Sequence, residues 1–175
     1  MYWKWDSNRT TSTFAKFMQG AEEHPTVTAE KVKKTKSEYQ RARNLADQWF
    51  SRYIRLKYSF KGSDGELYCK CYTCDRIKDI KKIDNGHWVP RANLQVRFHP
   101  NNARPQCTYC NHFRHGEHDK FRANLIKEIG IEKVEQIEKL GQVTLKVSSL
   151  ELRKKAKYFR EECKTIQDKH QIKIW

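Results

Sequence analysis

The sequence predicts an α+β fold: a zinc-stabilised core of short strands and loops flanked by N-terminal and C-terminal helices. Three observations predict it. Residues 66–115 hold nearly all the side chains capable of chemistry, two C-x-x-C pairs among them. Before them, apolar residues recur at alternating spacings of three and four. After them, the same helical signal returns three times.

Residues 1–27 are rich in Thr and Ser, with scattered aromatics and no clear periodicity, and are expected to form an irregular arm. A long basic helix is predicted over 28–60. Its stripe is Tyr39, Ala42, Ala46, Trp49, Tyr53 and Leu56, widened by Leu45, Phe50 and Ile54. Lys61-Gly62-Ser63-Asp64-Gly65 supplies turn chemistry and ends it. The core is assigned to 61–120, read as short strands and loops that close on a short helix beginning near Cys107. A C-terminal helical region covers 121–175. Phe121, Leu125, Ile126 and Ile129 form a stripe that stops at Gly130, and Ile131, Val134, Ile137 and Leu140 form another that stops at Gly141. Ser148 and Glu151 make a capping box for the last helix, with Val147 and Leu152 as its hydrophobic staple. Leu152, Ala156, Phe159 and Cys163 then share one face.

At 175 residues the chain suits one compact domain with extensions. Its 36 Lys and Arg against 21 Asp and Glu leave a net charge of +15, and mean hydropathy is -0.97. So large a cationic surplus matches a nucleic-acid partner, whose phosphates it neutralises with release of counterions. No run approaches the ~20 apolar residues that a membrane span needs. The opening Met1-Tyr2-Trp3-Lys4-Trp5-Asp6 has none of the layout of an export signal, so a cytoplasmic setting and free thiols are expected.

Cys71-x-x-Cys74 and Cys107-x-x-Cys110 are two knuckles separated by 32 residues. Each pair can converge on one ion, and together they complete a closed tetrathiolate zinc site that holds loops in place without activating water. Cys69 is a competitor for the first pair, whereas Cys163 reads as a small core residue.

Within and just beyond this frame stand Asp84, His87, Asn102, Asn111 and His115. Fourteen residues separate His87 from Asn102, eight separate Asn102 from Asn111, and three separate Asn111 from His115. On an α-helix Asn111 and His115 share a face and reach one ion together. The spacing resembles the HNH motif of the colicin-type nucleases. Asp84-x-Gly86-His87, Arg97-Phe98, Asn102, Gln106-Cys107-x-x-Cys110-Asn111 and Gly116 resemble the NinG/Rap recombination endonucleases of lambdoid phages, over roughly residues 37–145. Phage recombination endonuclease VII is similar more narrowly.

The resemblance implies a ββα-metal (HNH) core and a metal-dependent endonuclease acting on branched DNA such as D-loops and Holliday junctions. It makes His87 the general base and gives Asn111, His115 and Asp84 to a catalytic Mg²⁺ or Mn²⁺. Asn102 would pin the loop behind His87, and Arg91, Arg97 or Arg114 would clamp phosphate. A homodimer in the cytoplasm of a bacterial host completes the expectation. Two departures stand out: Gly86 replaces the Asp or His that often precedes the catalytic His, and residues 1–60 lack the N-terminal cysteine cluster common in NinG-like proteins. Asp84, three residues before His87, needs a bulge or turn at Asn85-Gly86 to join the site. A sequence-specific homing or restriction nuclease and a non-catalytic zinc module that binds nucleic acid stay open as alternatives.

Overall fold

The computed structural model describes residues 36–172, 174 and 175. The N-terminal arm and the expected helical residues 28–35 lie outside them. Described residues begin the first helix, α1, at Glu38 and end it at Lys57. Ser37 caps it in a reciprocal capping box with Gln40, which satisfies two otherwise orphaned N–H groups. The buried face of α1 is Ala42, Ala46, Phe50, Tyr53, Ile54 and Leu56. Leu45 is not on it: it is exposed, because it falls to the far side of the stripe on which Phe50 is central.

The chain turns at Tyr58 into a three-stranded antiparallel sheet of β1 (Ser59–Lys61), β2 (Leu67–Lys70) and β3 (Ile77–Asp79). The β1–β2 turn closes with Gly62 donating its N–H to the Glu66 carbonyl, and Gly65 takes the left-handed backbone (φ 83°) that favours glycine. A second sheet pairs β4 (Asp84–His87) with β5 (Ala103–Gln106), antiparallel and in regular register from Asp84 opposite Gln106 to His87 opposite Ala103. Between them lie the short helix α2 (Leu94–Arg97) and a 3₁₀ turn, Pro100–Asn102. Gly86 meets β5 closely: a Cβ there would lie 2.3 Å from the Gln106 side-chain oxygen.

Beyond the second knuckle come α3 (His118–Ile129), α4 (Ile131–Gly141) and α5 (Ser149–His170). Gly130 (φ 86°) ends α3 where the stripe stops, and Ser148 with Glu151 forms the capping box of α5. Leu152, Ala156, Phe159 and Cys163 bury one face of α5 against α1, and Val147 packs on the same cluster. The contact is largely aromatic, with Phe159 centred 4.9 Å from Phe50 and 5.3 Å from Tyr53. No described helix is long and apolar enough to cross a membrane.

Arg104 is fully buried on β5. Its guanidinium makes a fork of two 2.9 Å hydrogen bonds to Glu128 of α3, donates to the Pro100 and Ala103 carbonyls, and lies over the rings of Tyr58 and Tyr72. That one side chain ties α1's exit, the first knuckle, β5 and α3 together.

Replacing Phe50 with Ala empties the α1–α5 seam and should cost about 3–5 kcal/mol in denaturant unfolding. Leu45→Ala, on the exposed face, should change stability by less than about 0.5 kcal/mol; equal losses would overturn the assignment of faces.

Candidate functional site

β2 delivers Cys71 and Cys74, and β5 delivers Cys107 and Cys110. The Tyr72 N–H donates to the Pro105 carbonyl (2.9 Å) and the Cys107 N–H to the Cys71 sulfur (3.2 Å), so the knuckles are hydrogen-bonded to each other. All four sulfurs lie within 4.8 Å of one another. Zinc bonded to sulfur at 2.3 Å in a tetrahedron needs sulfurs about 3.8 Å apart, and Cys74 and Cys107 are 3.7 Å apart.

Burial opposes ionisation of Cys71, but the N–H groups of Cys107, Thr73 and Cys74 and the Thr73 hydroxyl outweigh it and bring the thiol down to about 7. Cys110 is pushed up to about 12, first by burial and then by neighbouring sulfur. The four sulfurs are close enough to hold a structural zinc, which would bind them as thiolates. Cys69 is no competitor: its thiol points at the Arg55 carbonyl (3.2 Å), and burial pushes it up to about 12. Gln106 extends the frame, its amide donating to Thr73 Oγ1 (3.1 Å) and to the Gly116 carbonyl (2.7 Å).

Beside this frame a cleft of about 290 Å³ opens between α1 and β4. β4 contributes Asp84, Asn85 and His87; α1 contributes Asp47, Phe50, Ser51 and Arg55; Lys81, Arg91, Asn111 and His112 also line it. Asp84 and His87 thus reach the same cleft without the bulge their spacing called for.

His87 is held by two partners. Its Nε2 lies 3.0 Å from the Arg97 carbonyl, and Phe50 packs on the ring (centroids 5.8 Å). A carbonyl only accepts, so Nε2 carries the hydrogen and Nδ1 keeps its lone pair in the neutral ring. Burial lowers the imidazole to about 4, against the pull of its backbone acceptors. Arg97 is itself clamped by Asp47 through 2.7 and 2.6 Å bonds, and it also donates to the Arg91 carbonyl. It therefore positions His87 and is not free to clamp phosphate.

Asn102 is fully buried and does not line the cleft. Its side chain accepts from the Val89 N–H (2.7 Å) and donates to the Val89 and Val96 carbonyls, while its own carbonyl accepts from the Trp88 N–H. These bonds tie it to the segment that follows His87.

The residues after Cys110 depart from the sequence reading. Tyr109–Phe113 form a π-helical turn, and the chain then passes through Arg114 to His115, whose backbone is left-handed (φ 50°). Asn111 and His115 therefore share no α-helical face, and His115 is exposed and absent from the cleft lining. His112 takes that place: its Nε2 lies 3.5 Å from Asp84 Oδ2 and 3.3 Å from the Asn111 amide, which is itself 3.5 Å from Asp84. The Asn85 side-chain oxygen in the same cleft is buried without a hydrogen-bond partner. Arg91 lines the cleft, whereas Arg114 pairs with Glu117 (2.9 Å) away from it.

Asp47, Arg55 and Lys81 were missed. Asp47, Ser51 and Arg55 are spaced by four, a polar line on one side of an otherwise apolar helix face, and that spacing was the available signal.

The profile of the family described as "Bacteriophage Lambda NinG protein" matches residues 7–170. Protein ninG of Salmonella phage P22 and Protein ninG of Escherichia phage lambda are each 30% identical over 105 residues, covering 59% of this chain and 45% of the relative. The chain thus matches less than half the length of these relatives. No solved structure matches.

Two outcomes follow. The purified chain should hold one tightly bound zinc by elemental analysis, and Cys74→Ser should lose it together with protection of 66–115 from proteolysis; a zinc-free, equally protected variant would contradict the frame. Because the folded state keeps His87 neutral down to about 4 while the unfolded chain protonates it near 6.5, the unfolded state binds the extra proton between these values. Its contribution to stability is whole above about pH 6.5 and shrinks as the pH falls toward 4. Urea midpoints of wild type should drop more steeply over the upper part of that window than those of His87→Gln; parallel slopes would refute the buried neutral ring.

Proposed function

The chain belongs to the family of the bacteriophage lambda NinG protein, and from that premise we propose that it is a metal-dependent HNH (ββα-metal) endonuclease acting on branched DNA. The observation that carries this reading is the arrangement of His87. Its protonated nitrogen is committed to the Arg97 carbonyl, its other nitrogen keeps a lone pair, and it shares a cleft with Asp84, Asn111 and His112.

In this reading His87 Nδ1 accepts the proton of the attacking water, and the Arg97 carbonyl steadies the imidazolium that results. The low basicity of the buried ring keeps it neutral and ready at neutral pH; a phosphodiester anion entering the cleft favours its protonated form and offsets that low basicity. Asp84, Asn111 through its amide oxygen, and His112 would hold the catalytic divalent ion. An oxygen-rich set with one imidazole suits Mg²⁺ or Mn²⁺. When bound, the ion stabilises charge on the phosphoryl and leaving oxygens. Arg91, Arg55 and Lys81, which also line the cleft, would neutralise the flanking phosphates. The tetrathiolate fixes the turn carrying Asn111 and His112, and so sets their distance from His87. Paired cuts at a junction would call on two copies of the chain.

The test is cleavage of linear duplex, four-way and D-loop DNA with Mg²⁺ or Mn²⁺. His87→Ala should lower the cleavage rate by about 10²–10⁴-fold while changing DNA affinity little. His112→Ala should raise the metal concentration needed by at least about 10-fold, and His115→Ala should not. Cleavage by His87→Ala at the wild-type rate would sink the catalytic assignment, and indifference to branching would sink the substrate.

A further inference from the structure

The π-helical turn that presents Asn111 and His112 to the cleft also presents two large aromatic rings to solvent. Tyr109 is 48% exposed and Phe113 is 73% exposed. The rings are nonetheless ordered against each other, stacked with centroids 6.4 Å apart and planes inclined by 27°. The Arg76 guanidinium lies 5.4 Å over the Tyr109 ring. The turn is held at one end by Cys107 and Cys110, and the Arg114 N–H closes it onto the Tyr109 carbonyl. Two stacked rings and a cation are thus mounted on a rigid support beside the cleft.

We propose that Tyr109 and Phe113 form a stacking platform for a nucleobase exposed at the branch point of the DNA whose backbone lies in the cleft. The proposal rests on the nuclease reading and deepens it by giving branch preference a physical source. Two rings are too small an apolar patch to anchor a folded protein partner, which buries upwards of about 1,000 Å². A nucleobase is the right size, every base offers a π-face, and the chain's net charge of +15 favours the phosphates that accompany it. Fully paired duplex keeps its bases stacked inside, whereas junctions and D-loops present bases that have lost a neighbour.

The experiment uses the full chain with zinc bound, in a His87→Ala background so that DNA stays intact. Binding is measured to linear duplex and to four-way DNA carrying 2-aminopurine at successive positions beside the branch. The unaltered aromatics should quench 2-aminopurine at one or two positions, as stacking does. Tyr109→Ala with Phe113→Ala should abolish that quenching and weaken four-way binding about 5- to 150-fold, with duplex binding changed less than about 2-fold. Tyr109→Leu with Phe113→Leu keeps apolar bulk and should show the same loss, while Phe113→Trp should retain quenching; unchanged zinc content reports an intact turn. Quenching that survives both double variants, or equal losses on duplex and branched DNA, would overturn the platform. These readouts need no cleavage, so a wild-type chain that quenches without cutting would refute the nuclease and leave the platform standing.

Discussion

Everything that matters for the site depends on four sulfurs meeting. The segment from β2 to the π-helical turn runs through short strands separated by turns, and its buried apolar side chains are divided between the main core (Leu67, Ile80, Ile83, Phe98) and a separate cluster (Val89, Val96). Local propensity would leave such a segment with many near-equal conformations. Convergence of Cys71, Cys74, Cys107 and Cys110 removes that freedom from 32 intervening residues at once. A structural zinc on these sulfurs would add a strong directional interaction to the buried area, which suits a region that keeps a polar, open cleft.

The α1–α5 seam performs a different task. It is the conventional hydrophobic core, dominated by Phe50, Tyr53 and Phe159. α1 also faces the cleft, so one helix joins the core to the site: Phe50 packs on both Phe159 and His87, and Asp47, one turn earlier, anchors Arg97. The histidine is consequently braced by packing from one side and by a hydrogen-bonded carbonyl from the other. A base on a rigid helix-and-strand support keeps its tautomer, since turning the ring would break the bond to Arg97.

Much of this was legible in the sequence because it follows from local rules. Periodicity located α3, α4 and α5 near their observed limits, capping chemistry located the start of α5, and knuckle spacing located the sulfur cluster. What was not legible depended on departures from regular geometry. Spacing of four implied a shared face for Asn111 and His115 only if the turn were α-helical; a π turn moves His112 into that position. Arg97 read as a free cation because its partner, Asp47, lies 50 residues away in sequence. Leu45 was placed on the buried stripe because apolar character alone cannot say where a widened stripe stops.

The buried fork between Arg104 and Glu128 constrains how relatives of this chain can diverge. Arg104 is wholly enclosed, whereas the Glu128 side chain keeps 36% of its surface in water. Deleting Glu128 first strands an enclosed cation, at a cost of about 3–5 kcal/mol, a large part of the 5–15 kcal/mol that holds a typical domain together. Deleting Arg104 first leaves a carboxylate that water can still solvate. Drift at this pair therefore has a preferred direction: lineages that have lost the pair should have passed through the loss of the arginine, and an arginine at 104 without an acidic residue at 128 should be the rarest combination.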